Sequence, residues 1–330
     1  MSKSFSLNRR SFLGSGLAVG AIAGSLGAAT FPMTASAAAP KAGTQVAGAI
    51  RRNVGAFEVT ALLDGYLDIG KELVVGYEDD AAKSLREAAF IESEAVRAPV
   101  SAYLVNTGDK LILVDAGTSN VMGPTLGRLL EPLAAAGVSP DQVDAVLITH
   151  MHPDHLFGVL DGNGEKVFKN AELILPEVDK AFWYDDANLN AAPEAVKGFF
   201  LGARKAADAY KDTQTLFSDD QEIVGGIRSM ALPGHTPGHS GFVLSSGGET
   251  LILAADVVHM AAYQFARPEW AIAFDVDNAA AIETRKKFFD MAATDRVMFA
   301  GAHIPFPGFG QLAKDGDGYR FVPAQWPYEL

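Results

Sequence analysis

The residues best suited to chemistry lie in one short run, 150–155, which reads His-Met-His-Pro-Asp-His. This run holds three of the seven histidines of the chain and one carboxylate. Imidazole nitrogens and carboxylate oxygens are ligands that zinc and similar divalent ions take in proteins. The alternative is a polar helix start with its histidines in solvent, and the density of ligand groups argues against it. The run therefore predicts a metal site.

Three further candidate ligands lie downstream, and each follows an apolar run that reads as a strand: His235, Asp256 and His303. Residues 150–155 likewise follow an apolar run, 144–149. His235 begins a Gly-His-Thr-Pro-Gly-His segment, 234–239, that is rich in turn residues. Because the candidate ligands all come at the ends of predicted strands, we expect one shared site at the edge of a sheet sandwich.

This ordered set of histidines and aspartates resembles the metallo-β-lactamase superfamily. Residues 113–117, Leu-Val-Asp-Ala-Gly, resemble an early strand-and-turn motif of that family. Within the superfamily the chain is most similar to the methyl parathion hydrolase branch. The stretches that carry this narrower likeness are 149–155, 234–239, 305–308 and 318–323.

The resemblance implies an α/β fold, the four-layer αββα metallo-β-lactamase sandwich, formed as one domain over residues 38–330. It also implies a ligand set for two divalent metal ions. His150, His152 and His235 would hold one ion. Asp154, His155 and His303 would hold the other, and Asp256 would bridge them. Zinc is the expected metal, and cobalt, manganese or iron could occupy the same ligands.

The implied chemistry is metal-assisted hydrolysis. Two ions a few ångströms apart would hold a bridging hydroxide, because metal binding lowers the pKa of water towards about 7. This hydroxide would attack an ester or lactone carbonyl, or a phosphorus centre. Asp154 and Asp256 are the candidates to carry the proton. No Gly-x-Ser-x-Gly motif is present in the sequence.

Three other polar residues belong near this site. Asp115 is expected to orient a ligand or a loop, with turn formation as the alternative. His239 matches a motif position but not a ligand position, so a structural role is expected. His259 lies three residues after Asp256, where lactonases of the superfamily place a tyrosine. It could hydrogen-bond the substrate carbonyl or the leaving group, or simply pack in the pocket.

A hydrophobic pocket is predicted from six residues. Trp183, Phe199 and Phe200 fall where the branch lines its cleft, and Phe265, Ile272 and Phe274 follow the ligand Asp256 along the chain. For each of these residues the alternative is a place in the core. Together they indicate a small hydrophobic ester or lactone as the substrate. An exposed apolar patch would also suit a homodimer, which the resemblance favours.

Composition excludes several classes. The chain has no cysteine, so disulfides and thiolate ligands are ruled out. Its net charge of −13 is a poor match to nucleic acid, which disfavours the nucleases of the superfamily. Because 48% of the residues are hydrophobic, a large core can form.

The first residues of the sequence resemble a twin-arginine export signal. Arg9 and Arg10 are paired, an apolar Gly/Ala-rich segment follows over about 17–31, and Ala-Ser-Ala at 35–37 suits cleavage before Ala38. We therefore expect a signal peptide over 1–37, a periplasmic or secreted protein, and no stable membrane anchor after cleavage. A retained anchor is the alternative.

Local patterns predict the following elements: hairpins at 57–63/66–69, 100–105/110–114 and 241–244/250–253, helices at 124–136 and 278–292, a strand at 171–175, and a helical region at 177–210 interrupted by Pro193.

The leading functional hypothesis is an exported dinuclear hydrolase of hydrophobic lactones or aryl esters with side activity on phosphotriesters. A phosphotriesterase proper is the main alternative. In the methyl parathion hydrolase pattern an aliphatic residue stands at the position of His259, which argues against efficient organophosphate hydrolysis here. A thioesterase of the glyoxalase II type or a di-iron redox protein fits less well, because neither a basic glutathione-binding region nor a flavin-binding domain is evident.

Overall fold

Two seven-stranded β-sheets face each other at the centre of the fold. They are seen in a computed structural model that describes residues 41–330. The predicted signal peptide at 1–37 lies outside the described residues. Residues Val46–Leu330 form one compact unit.

The first sheet has the order β1-β2-β4-β5-β6-β7-β8. Its strands are β1 (Ala49–Val54), β2 (Phe57–Ile69), β4 (Val96–Asn106), β5 (Leu111–Val114), β6 (Ala145–Leu147), β7 (Glu172–Pro176) and β8 (Gln214–Phe217). The second sheet has the order β16-β15-β14-β12-β11-β10-β9. Its strands are β9 (Glu222–Val224), β10 (Ile227–Ala231), β11 (Ser240–Ser246), β12 (Glu249–Leu253), β14 (Met298–Ala300), β15 (Gly310–Asp315) and β16 (Gly318–Pro323).

Helices pack around the two sheets. They are α1 (Asp79–Ala88), α2 (Leu130–Ala135), α3 (Pro153–Leu156), α4 (Glu177–Tyr184), α5 (Asp186–Ala191), α6 (Glu194–Ala209), α7 (Ala261–Gln264) and α8 (Asn278–Asp295). A short ribbon pairs β3 (Val74–Val75) with β13 (Ala271–Ile272). Among residues 41–330, no helix combines the length and apolarity needed to cross a bilayer.

Each central strand is buried on both faces, which explains why its sequence reads as a continuous apolar run. In β4, Leu104 packs towards the helices on the outside of the first sheet, whereas Tyr103 and Val105 point between the sheets. On the far side, Phe288 and Phe289 of α8 pack against the second sheet. The result is helix, sheet, sheet, helix, and the four-layer prediction is confirmed.

The predicted hairpin at 57–69 is wrong, because β2 is one strand of 13 residues. Its register against β4 shifts between Leu63 and Gly65, so Asp64 occupies a bulge instead of a turn. The Asp64 side chain is fully buried and accepts hydrogen bonds from the backbone N–H groups of Gly127 and Leu129. The Asp-Gly pair therefore serves a tertiary contact that the local pattern could not reveal.

The same carboxylate explains why the predicted helix at 124–136 is shorter than expected. Only Leu130–Ala135 is α-helical. The residues before it are held in an irregular turn by Asp64 and by a hydrogen bond from the Tyr66 N–H to the Thr125 carbonyl, 3.1 Å long. Tertiary hydrogen bonding here overrides helix propensity.

The other predicted elements are confirmed with small changes of boundary. The hairpins β4/β5 and β11/β12 form antiparallel pairs. The region 177–210 forms three helices, and Pro193 stands at the start of the last. The strand at 171–175 is β7, and the helix predicted at 278–292 is α8.

Candidate metal centre

The candidate ligands meet at one edge of the sandwich, where β6, β10, β12 and β14 end. The two sheets are joined at this edge by backbone hydrogen bonds. The Ser240 N–H donates to the Thr149 carbonyl at 3.0 Å, and the Ser101 N–H donates to the Ala302 carbonyl at 3.0 Å. The predicted placement of the ligands at strand ends is therefore confirmed, and the loops that carry them are tied across both sheets.

Three histidine nitrogens converge at one side of this edge. His152 Nδ1 lies 3.1 Å from His150 Nε2 and 2.8 Å from His235 Nε2. These three residues are the first ligand set. They are the same three that the family resemblance assigned to one ion, and their ligand atoms are close enough to share one.

The second ligand set consists of Asp154, His155 and His303. The Asp154 Oδ2 atom lies 3.6 Å from His155 Nε2 and 3.4 Å from His303 Nε2. Asp154 and His155 belong to the single turn of α3, which begins with Pro153 directly after His152. One short turn thus gives ligands to both sets.

Asp256 lies between the two sets. Its Oδ2 atom is 3.3 Å from His235 Nε2 and 3.1 Å from His303 Nε2, and its Oδ1 atom is 3.2 Å from His155 Nε2. The residue is in a tight turn, Ala255–Val257, after β12, and is buried. Asp256 is thus placed where its carboxylate could contact cations held by either set.

The hydrogen bonds behind the histidines fix which nitrogen faces the centre. The Nδ1–H of His155 donates to Asp115 Oδ2 at 2.8 Å, and that of His235 donates to Asp275 Oδ1 at 2.7 Å. His303 donates from Nδ1 to the Pro99 carbonyl at 2.7 Å. When such a ring is neutral, its Nε2 atom carries the lone pair and is aimed inward, as a metal ligand must be.

These inward atoms fit divalent cations. His155 Nε2 and Asp256 Oδ1 are buried and have no hydrogen-bond partner within the described part of the chain. Buried polar atoms without partners are costly, and so are lone pairs packed about 3 Å from one another. Cations at the first and second ligand sets would satisfy these atoms, and nitrogen and oxygen donors of this kind suit zinc.

Two residues that the sequence placed beside the ligands have clear contacts. Asp115 accepts from His155 and from the N–H and hydroxyl of Thr149, so it orients a ligand and the loop before His150. His239 donates from Nδ1 to the Leu232 carbonyl at 2.7 Å, and its Nε2 accepts the Asp256 N–H at 3.1 Å. His239 therefore positions the backbone of Asp256 and does not face the cluster as a ligand.

Burial and charge act differently on the two sets. Burial, followed by repulsion from His155, lowers the pKa of His150 well below its usual value. Burial and the nearby His235 do the same to the pKa of His152. Burial opposes protonation of His155 too, but Asp256, Asp154 and Asp115 together raise its pKa well above the usual value.

The pKa values of the remaining candidate ligands depend on the charged groups beside them. Burial is outweighed at His235 by hydrogen bonds to Asp256 and Asp275, which raise its pKa to about 9. Burial is likewise outweighed at His303, where Asp256 raises the pKa. Burial opposes ionisation of Asp256, yet the histidines around it hold its pKa well below the usual value. The Asp256 carboxylate is thus ionised and able to bind cations.

A cavity of about 460 Å³ opens onto the cluster. Four of the six predicted pocket residues line it: Trp183, Phe199, Phe200 and Phe274. Other apolar lining residues were not predicted, and they come from separate segments: Leu67, Ile69, Met122, Phe182, Val196 and Val276. No lysine or arginine is among the described residues that line this cavity. Its wall is therefore apolar and its floor is the ligand cluster.

The other two pocket predictions are wrong. Phe265 stacks on Phe321 with ring centroids 5.3 Å apart, within the core between the second sheet and α8. Ile272 pairs with Val74 in the β3/β13 ribbon and packs with Trp270 in a satellite core. Neither residue is among those that line the cavity, although both are close in sequence to residues that do.

His259 lies at the cavity floor. Its Nε2 atom is 3.1 Å from Asp256 Oδ2, and its ring stacks on that of His303 with centroids 5.0 Å apart. Its Nδ1 atom is buried and has no partner among residues 41–330. Burial lowers the pKa of His259 to about 4, so the ring is neutral at pH 7.

Sequence reasoning missed two buried carboxylates at this site. Asp275 holds His235, as described above. Asp179 accepts hydrogen bonds from the Met151 N–H at 2.7 Å, the Trp183 indole N–H at 3.0 Å and the Gly238 N–H at 3.2 Å. It thereby ties both histidine turns to the cavity wall. Neither carboxylate stands in a motif or next to a ligand in sequence, so no local signal distinguished them from surface acids.

Comparisons with known proteins agree with this geometry. The family model described as the metallo-beta-lactamase superfamily matches residues 95–303. The N-acyl homoserine lactonase of Bacillus cereus is 26% identical over 174 residues, which are 47% of this chain and 62% of that protein. The chain thus spans less than two thirds of that relative's length. A lactonase of Bacillus thuringiensis is 26% identical over 189 residues, 51% of this chain and 68% of that protein.

Two solved structures share nearly the whole described fold. The hydrolase AbOPH of the beta lactamase superfamily has a TM-score of 0.82 and 32% identity, over 86% of this chain and 100% of that one. AidC, a dizinc quorum-quenching lactonase, has a TM-score of 0.81 and 26% identity, over 86% of this chain and 99% of that one. On the family match, the shared sandwich and the clustered histidines and aspartates, this chain belongs to the metallo-β-lactamase superfamily of metal-dependent hydrolases, with lactonases among its homologues.

Proposed function

We propose that this protein hydrolyses neutral, hydrophobic lactones or aryl esters with two divalent metal ions, zinc in the first instance. The observation that carries the proposal is the juxtaposition of two ligand sets, joined by Asp256, with an apolar cavity. The bound ions would supply an activated water and would polarise the bond under attack. The names of the lactonase homologues support the same bond type.

The cavity wall supports an uncharged substrate. Aromatic and aliphatic side chains form most of it, and within the described chain no cationic side chain lines it. A substrate with a carboxylate or phosphate group would lose its hydration there without gaining an ion pair, which is costly. A neutral lactone or ester bearing an apolar substituent would instead bury that substituent against Trp183, Phe199 and Phe274.

Side chains at the cavity floor would transfer the proton and hydrogen-bond the substrate. Asp154 and Asp256 present carboxylate oxygens at the cavity floor, where they can accept and return a proton. His259 is neutral and lies beside Asp256, so its imidazole can hydrogen-bond the carbonyl oxygen or the leaving group. Apolar side chains around the floor exclude bulk water, which strengthens each of these interactions.

Phosphotriester hydrolysis is the second candidate. A triester is also neutral and would enter the same apolar cavity, and the motifs at 305–308 and 318–323 resemble the methyl parathion hydrolase branch. The polar His259 at the floor favours the carbonyl substrates over this alternative. Membership of that branch stays a prediction.

The experiment is a substrate panel with metal analysis. Purified protein would be assayed on lactones, aryl esters, thioesters, β-lactams and phosphotriesters, with zinc content measured by elemental analysis. We expect about two ions per chain, loss of activity on chelation, and the highest specificity constants on neutral lactones or aryl esters. A fully active protein with one ion, or a preference for anionic substrates, would contradict the proposal.

We also propose export by a twin-arginine route, which rests on the sequence of residues 1–37 alone. Replacing Arg9 and Arg10 by lysine should leave the precursor in the cytoplasm, as measured by fractionation and by N-terminal sequencing of the mature chain. Unchanged amounts of exported protein in the double variant would refute the route.

A further inference from the structure

A buried carboxylate, Asp275, contacts both a metal ligand and the wall of the cavity. Its side chain is fully buried, and its Oδ1 atom accepts the His235 Nδ1–H at 2.7 Å. Its Oδ2 atom accepts the Ile272 N–H at 3.2 Å, which closes a short turn over residues 272–275. One carboxylate oxygen thus holds the candidate ligand His235, and the other holds the backbone of the segment that carries Asp275.

The backbone of this segment is also clamped onto the turn that carries His235. The Val276 N–H donates to the His235 carbonyl at 2.9 Å, and the Asp277 N–H donates to the Gly234 carbonyl at 2.9 Å. At the other end, the Ala273 N–H donates to the Leu73 carbonyl at 2.8 Å. Residues 273–277 are therefore tied at both ends and to the ligand in between.

The same segment forms part of the cavity wall. Ala273, Phe274 and Val276 line the cavity, and Asp275 stands between them. Phe274 is 41% exposed and Val276 is 47% exposed, so these two side chains stand at the mouth. Because residues 273–277 are held by hydrogen bonds at both ends, a shift of this wall segment would move the Asp275 carboxylate that accepts the His235 hydrogen bond.

We propose that Asp275 is a positioning residue that sets the orientation of His235 and the place of the cavity wall together. The inference rests on the proposed function, since it assigns His235 as a ligand. An amide in place of the carboxylate would be a weaker, uncharged acceptor and could turn its NH2 group towards His235, which would favour the other tautomer of the ring. Carboxylate partners behind ligand histidines also raise the basicity of the ligand, and their loss costs about 10–100-fold in metal affinity or activity.

The experiment compares zinc affinities and Michaelis constants. Metal-free wild type and Asp275→Asn would be titrated with zinc against a chromophoric chelator, so that both binding steps are measured. We expect the affinity of one of the two steps to fall about 10–100-fold in the variant, with the other nearly unchanged. We also expect KM to rise more for a lactone with a long apolar substituent than for a compact lactone.

Two control variants separate the roles. Asp64→Asn changes an equally buried carboxylate that accepts backbone N–H groups but bonds no ligand histidine, so zinc affinity should be unchanged while Tm falls. Phe274→Ala removes a wall side chain only, so KM should change while zinc affinity does not. A structural role alone would make Asp275→Asn behave like Asp64→Asn, and that result would overturn the proposal.

A measurement on the wild type keeps the test independent of how the variants fold. In zinc-loaded protein labelled with ¹⁵N-histidine, the His235 Nδ1–H should be a slowly exchanging signal, assigned by its loss in His235→Gln. Absence of that signal would overturn the proposal. Failure of the proposed function looks different: wild type would bind no zinc, or would bind it and hydrolyse no member of the substrate panel.

Discussion

The two ligand sets of the candidate metal centre differ in charge and in the groups behind them. The first ligand set, His150, His152 and His235, contains only imidazole rings. Burial holds the pKa of His150 and His152 well below the usual value, whereas carboxylate partners raise the pKa of His235 to about 9. The second ligand set, Asp154, His155 and His303, contains a carboxylate, and both of its histidines have raised pKa values. One turn of chain, 150–155, contributes to both.

The difference shows how one short motif, residues 150–155, can contribute to two ligand sets of different chemistry. The first set presents only nitrogen, which suits zinc, whereas the second mixes oxygen with nitrogen and suits a wider range of ions. In the second set Asp256, Asp154 and Asp115 raise the pKa of His155, and Asp256 raises the pKa of His303. Asp256 lies beside ligand atoms of both sets, so changes there should affect both sets, whereas changes at Asp154 should affect the second set alone.

The largest effect is expected from Asp256→Ala. It removes a carboxylate whose oxygens lie 3.1–3.3 Å from ligand nitrogens of both sets, and we expect activity to fall by more than about a hundredfold, the upper end for outer partners of metal ligands. Zinc content should drop below two ions per chain. Asp154→Ala is the matched control, because it should weaken only the ion of the second set. An Asp256→Ala variant with full activity would show that the two sets do not act together.

A smaller effect is expected at His259, whose ring lies 4.6 Å from that of His235 and 5.0 Å from that of His303. His259→Leu removes a polar group suited to a carbonyl oxyanion, a contact worth about 2–4 kcal/mol in the transition state. The ratio of specificity constants for lactone over phosphotriester should therefore fall. If both constants change by the same factor, His259 does not select between the two substrates.

The pH dependence of metal binding should separate the sets further. In the second set both histidines have raised pKa values, so zinc must displace a proton from each of them. In the first set only His235, with a pKa of about 9, must lose a proton. As the pH falls below these raised values, the second set should lose affinity more steeply, by about tenfold per pH unit for each additional proton displaced. Zinc titrations at several pH values would test this, and equal slopes for both steps would contradict it.

The smallest effect concerns metal preference. With manganese supplied to metal-free protein, we expect one ion to bind more tightly than the other, because manganese favours the carboxylate of the second set over the all-nitrogen first set. Electron paramagnetic resonance would count the bound manganese. Asp154→Asn should remove this preference, and two equal manganese sites in the wild type would argue that the contrast between the sets is unimportant.

The fold was predicted from the resemblance to a known family, and the grouping of the candidate ligands was predicted from their residue types and their places after apolar runs. Apolar runs are typical of buried strands, and each candidate ligand follows such a run or lies in a short histidine-rich turn. Predictions from local sequence were wrong at two places. Asp64-Gly65 has the pattern of a hairpin turn but forms a bulge, and residues 124–129 have the pattern of a helix but form an irregular turn. In both places hydrogen bonds to one buried carboxylate decide the backbone, and its partners are more than 50 residues away in the chain.

The residues around the ligands show the same division. Sequence determined which side chains can bind metal, since ligand chemistry belongs to the residue type and its spacing. Only tertiary structure decided that Asp275 stands behind His235, that Asp179 ties both histidine turns to Trp183, and that Phe274 lines the cavity while Phe265 and Ile272 do not. A carboxylate or an aromatic ring has the same local pattern in a core, at a surface or behind a ligand, and its role is set by the distant segments that pack against it.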